Sequence, residues 1–130
     1  MLKYLSIACL LAISALTMTS CKKDKNDDPS PGVTHKVQFK AETSQDARIY
    51  NATYGVDADV HIDQDLNGTS WTSPELTAPA GAYNANIVLN AIGTTDNSTL
   101  KVTVYIDGEP KKSQSAGPGK GLTVNLGYKF

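Results

Sequence analysis

The sequence predicts an all-β fold for residues 33–130, an immunoglobulin-like sandwich of about seven strands, and three observations carry that expectation. From Val33 onward apolar residues recur at every second position, the period of a strand with one buried face. Turn-forming pairs such as Asn67-Gly68 and Asp107-Gly108 separate the alternating segments. No stretch of a dozen residues repeats with the 3.6-residue period of an amphipathic helix. Seven or so short strands in about a hundred residues suit two packed antiparallel sheets, and a small barrel is the competing arrangement.

In the first segment Val37, Phe39 and Ala41 alternate with Lys36, Gln38, Lys40 and Glu42. A second, less regular strand runs from Ile49 to Tyr54. In the third, Val56, Ala58, Val60 and Ile62 alternate with Asp57, Asp59, His61 and Asp63, which predicts one apolar face and one solvated acidic face. The segment from Trp71 to Thr77 is crossed by Pro74 and so belongs at a sheet edge. Tyr83, Ala85, Ile87, Leu89 and Ala91 define the next strand, and Val88 and Ile92 on the opposite face suggest burial there too. Leu100, Val102, Val104 and Ile106 form another, closed by the Asp107-Gly108 turn. The returning piece, Glu109 to Ser115, carries Pro110, Lys111 and Lys112, which discourage pairing with other chains. After the glycine-rich Gly117 to Gly121, the last strand alternates Leu122, Val124, Leu126, Tyr128 and Phe130.

The chain divides into three parts: 1–20, 21–32 and 33–130. Lys3 followed by an apolar run from Leu5 to Met18 has the layout of a helical secretory signal peptide. The run is shorter than the ~20 apolar residues that span a bilayer. It ends at Leu16-Thr17-Met18-Thr19-Ser20-Cys21, which resembles the lipobox of bacterial lipoproteins. That resemblance implies cleavage before Cys21 and a lipid anchor on its sulfur. Residues 22–32 contain no side chain able to seed a core, and three Lys are balanced by three Asp, so the segment reads as a disordered, flexible tether. A charged cluster directly after the lipobox cysteine is similar to the lipoproteins of Bacteroidota, which implies an outer-membrane location, facing the periplasm or the cell surface.

The whole chain of 130 residues has twelve Lys+Arg against thirteen Asp+Glu, a formal charge of -1. Without Lys3, Lys22, Lys23 and Lys25, and without Asp24, Asp27 and Asp28, residues 33–130 keep eight against ten. No basic field is present to hold a nucleic-acid backbone, so nucleic acid is not an expected partner. Cys9 and Cys21 lie outside the folded part, which leaves it without a disulfide.

Asp63-Gln64-Asp65-Leu66-Asn67-Gly68 matches the opening of a calcium loop, where oxygen side chains at alternate positions converge. Pro74 stands where that loop needs its closing Glu, so Asp63, Asp65 and Asn67 are calcium candidates beside the simpler reading of a polar turn. His61 among its aspartates is a row of side chains about 7 Å apart on one strand face, better suited to solvent than to acid-base work. No G-x-S-x-G, phosphate loop or cysteine nucleophile is present in the mature chain, and no enzyme is expected. Among the aromatics, Tyr105 and Trp71 are the candidates for touching a partner.

One ordered set of residues goes further. Ala47, Ile49 and Tyr54 precede the lone Trp71, Gly81 leads into an Asn-Ala-rich strand, and Val104-Tyr105-Ile106-Asp107-Gly108 precedes a glycine-rich approach to the last strand. From Val37 to Leu126 this pattern resembles the MmpS-type transport accessory proteins, small membrane-anchored immunoglobulin-like domains that assist exporters of the resistance-nodulation-division class. The resemblance implies a non-enzymatic, lipid-anchored envelope protein that assists a transporter through protein contacts. The alternative is a surface glycan-binding or adhesion lipoprotein that uses exposed aromatics and calcium.

Overall fold

The computed structural model describes residues 32–130, so the signal peptide, Cys21 and nearly all of the tether lie outside the described residues. Pro31–Phe130 is a compact unit of its own. It is an immunoglobulin-like β-sandwich of two antiparallel sheets, with nine strands in place of the expected seven. The excess has a local cause. The Trp71–Thr77 segment is divided by Ser73 and Pro74 into two three-residue strands, and the lysine-bearing return after Gly108 pairs along its whole length.

The strands are β1 (His35–Thr43), β2 (Ala47–Val56), β3 (Asp59–Asp63), β4 (Ser70–Thr72), β5 (Leu76–Ala78), β6 (Asn84–Gly93), β7 (Leu100–Ile106), β8 (Glu109–Ala116) and β9 (Gly121–Lys129). One sheet runs β4-β1-β7-β8, with β5 also paired to β1, and the other runs β3-β2-β6-β9. Alternation builds the core between them: Val37, Phe39, Val102 and Val104 from one sheet meet Ile87, Leu89, Val124 and Leu126 from the other, all buried. Tyr50 is the extra residue of a bulge between the pairs Ile49↔Ala91 and Asn51↔Asn90. It lets Ala47 and Ile49 before it, and Ala52 and Tyr54 after it, all point inward despite the change of parity.

The third strand corrects an expectation. Val56 closes β2, and Asp57-Ala58 forms a two-residue turn, with Asp57 in the left-handed region at φ 52°. Across such a turn Val56 faces Asp59 on the same side of the sheet. The alternation read continuously from Val56 to Ile62 therefore inverts at the turn: His61 and Asp63 sit on the inner side, and Val60 and Ile62 face solvent.

Two polar joints close the ends of the sandwich. Asp46 accepts hydroxyl hydrogens from Ser44, Thr95 and the fully buried Ser98, each at 2.6 Å. These bonds hold its carboxyl well below the usual carboxylate range. At the other end the Asp107 carboxylate meets His35 Nδ1 at 2.7 Å and accepts the Lys36 N–H at 2.9 Å. His35 also stacks on Phe130, with 5.4 Å between ring centroids.

Candidate binding face

The outward side of the β3-β2-β6-β9 sheet can be assembled row by row from the strand register. Val60, Gly55, Asn86 and Gly127 make one row, and Ile62, Thr53, Val88 and Asn125 the next. Asn51, Asn90 and Thr123 form a third, and Arg48, Ile92 and Gly121 a fourth. Arg48 is the one charged side chain in these rows, and its guanidinium turns back to the carbonyls of Gln45 and Ala47. A fifth row, Asn84 and Lys129, adds an exposed lysine at the end of β9, so the charges of this face lie at its margins and its middle rows are uncharged.

Its chemistry is divided between amide and aliphatic groups. Asn90 donates its amide N–H to Asn51 Oδ1 at 2.7 Å, and Asn90 Oδ1 accepts the Thr123 hydroxyl at 2.8 Å, a ladder across three strands. Beside it Val60, Ile62 and Ile92 are 57–59% exposed, and Tyr50 projects at the bulge. A notch of about 140 Å³ lies at Gly55, between Val60 and Val88. A Cβ at Gly55 would collide with the Asp59 carbonyl, so only glycine allows β3 to lie this close to β2.

The outer side of the other sheet contrasts with it. Lys36, Lys40 and Glu42 project from β1 and Lys101 from β7. Tyr105, expected to be an exposed contact residue, is half-buried beneath Lys40, whose ammonium lies 4.7 Å from the ring centroid. Tyr105 and Trp71 do border the same groove of about 270 Å³, with Lys40 and Thr103. The indole, however, is in register with buried Ala41 and packs edge-on against Tyr54 inside the sandwich.

That packing also accounts for Asp63. Its carboxylate accepts the Trp71 indole N–H at 3.1 Å and lies 3.4 Å from the Tyr54 hydroxyl. Burial, and then the nearby Asp63 charge, push the Tyr54 hydroxyl above its ordinary pKa. His61 also stacks on Tyr54, 5.5 Å between centroids. Asp65 lies in the exposed loop at φ 59°, and the chain there is tied to β2 by Leu66 N–H donating to the Tyr50 carbonyl. Among the described residues no three His, Cys, Asp or Glu side chains gather closely enough to hold a metal ion. Asp63 is thus occupied with aromatic partners, and the calcium reading of Asp63, Asp65 and Asn67 gains no support from this geometry.

The uncharged face was not singled out from the sequence. Its signal was present in the asparagines and threonines at alternate positions, Asn86, Asn90, Thr123 and Asn125, but assigning them to one surface requires the pairing of β6 with β9. No protein-family model matches the chain, and no curated protein matches it.

Proposed function

We propose that the chain is a non-enzymatic binding module, held at the outer membrane by lipid on Cys21, and that the outer face of the β3-β2-β6-β9 sheet is where it meets a protein partner in the envelope. The observation that carries this reading is the absence of projecting charge from the middle rows of that face, with Lys129 at its margin, combined with exposed Val60, Ile62 and Ile92. Surfaces that bury against a partner are depleted of charge at their centre, because each ion must give up its hydration. The role as an accessory of an envelope transporter rests on the sequence resemblance alone.

Co-purification of the lipid-anchored chain in mild detergent tests the proposal. A transporter subunit should be retained by the unsubstituted chain and lost with Ile62→Asp, which places a charge at the centre of the aliphatic patch. Retention by Ile62→Asp together with loss by Lys101→Glu would move the site to the opposite sheet.

The Asn51-Asn90-Thr123 ladder favours a second reading, a neutral glycan, whose hydroxyls pair well with amides. Electrophoresis through gels containing a neutral polysaccharide such as dextran, mannan or xylan separates the two: retardation abolished by Asn90→Ala would favour the glycan.

A further inference from the structure

We propose that the chain forms a two-fold dimer in which β9 pairs antiparallel with β9 of a second copy. Residues 121–127 read Gly-Leu-Thr-Val-Asn-Leu-Gly, a pattern almost the same in both directions about Val124. Antiparallel pairing about a two-fold axis requires just this property, since each residue meets the one equally far on the other side of the centre. Centred on Val124, the axis sets Gly121 against Gly127, Leu122 against Leu126 and Thr123 against Asn125 of the second copy.

The backbone of β9 is already turned for it. Gly93 N–H donates to the Lys120 carbonyl at 2.8 Å, and Phe130 N–H to the Tyr83 carbonyl at 3.1 Å. In an antiparallel pair every second residue bonds the same neighbour, so the even-numbered positions from 120 to 130 face β6. Gly121, Thr123, Asn125 and Gly127 consequently direct N–H and C=O away from it, and these are the groups that the Val124-centred register brings together. The Gly127 carbonyl accepts Lys112 Nζ at 2.9 Å and keeps its second lone pair for a backbone N–H.

The other edges are protected. β8 carries Pro110, Lys111 and Lys112 and a register shift at Val104/Tyr105, while β4 and β5 are three residues each, broken by Pro74. β3 has five residues and begins and ends in Asp. β9 has nine residues, no proline, no register shift and no charge from Leu122 to Tyr128. An edge of that kind is a template for another strand. Its pairing with a second copy would join the uncharged middle rows of the two faces into one sheet surface and bring two anchors to the same membrane.

Sedimentation of residues 22–130, which contain the whole core of the folded unit, tests the pairing over a roughly hundredfold dilution series. The expected result is the mass of two chains at high concentration, falling toward one on dilution. Asn125→Pro removes an N–H that β6 does not use, and Asn125→Lys sets a charge beside Thr123 of the second copy. Both should sediment as single chains at every concentration while keeping the β-sheet circular dichroism, and the lysine variant decides the matter if proline disturbs folding. A single-chain mass for the unsubstituted protein throughout the series, or a dimer that the substitutions leave intact, would overturn the proposal.

Discussion

Asp46 accepts hydroxyl hydrogens from Ser44, Thr95 and Ser98, so its negative charge is part of the joint between the β1–β2 turn and the β6–β7 loop. Because the folded state depresses its pKa, the stabilisation is fully present above the unfolded value of about 3.9 and is lost as pH falls toward the folded value. Asp46→Asn should therefore melt below the unsubstituted protein near neutral pH, and the gap should narrow as pH falls below about 4. A gap independent of pH would mean that the carboxylate charge plays no part. Asp63 offers a second test, since Trp71 is the only tryptophan and donates to it. Asp63→Ala leaves the half-buried indole N–H without that acceptor, and the loss should be about 1–3 kcal/mol in denaturant titration followed by tryptophan fluorescence. The acidic character of Asp63 was legible in the sequence, but its occupation was not, because Tyr54 reaches it only through the pairing of β2 with β3 and Trp71, on β4, only when the two sheets pack.

At the scale of elements, alternation located β1, β6, β7 and β9 and assigned their main buried sides correctly, because each keeps one parity throughout, but Ile92, expected to be buried on the opposite face of β6, and Tyr83, expected on its inner side, are both exposed because no second layer covers them. It failed where parity changes. The Asp57-Ala58 turn inverts β3, and the Tyr50 bulge shifts β2, and neither event leaves a periodic trace in the sequence. Deletion of Tyr50 should consequently be tolerated, since Ile49↔Ala91 and Asn51↔Asn90 then become consecutive pairs of a regular ladder, whereas deletion of Thr53, where nothing absorbs the change of parity, should send part of the apolar set of β2 to the solvent side and melt far lower. Thermal melts of the two variants check this, and equal melting temperatures would contradict the role given to the bulge. Phe39, fully buried on β1 and edge-on to Tyr54, should lose about 3–5 kcal/mol on replacement by Ala. Gly55→Val should separate β3 from β2, which amide exchange at His61 and Asp63, whose N–H groups face β2, would register as lost protection.

For the whole molecule, the account joins an anchor read from sequence to a face read from structure. Cys21→Ala is expected to move the protein from the membrane fraction to the soluble fraction, since two or more acyl chains are needed for durable attachment. What the proposed anchor would present is a sandwich with one outer side rich in charge and another whose middle rows are uncharged. The most direct measurement of the central claim is photo-cross-linking in intact envelopes, with the reactive side chain placed either at Ile62 on the uncharged face or at Lys101 on the charged one. Both positions are exposed, so both variants should fold and remain anchored. The account predicts a discrete protein adduct from Ile62 and none from Lys101. An adduct from Lys101 alone would contradict it.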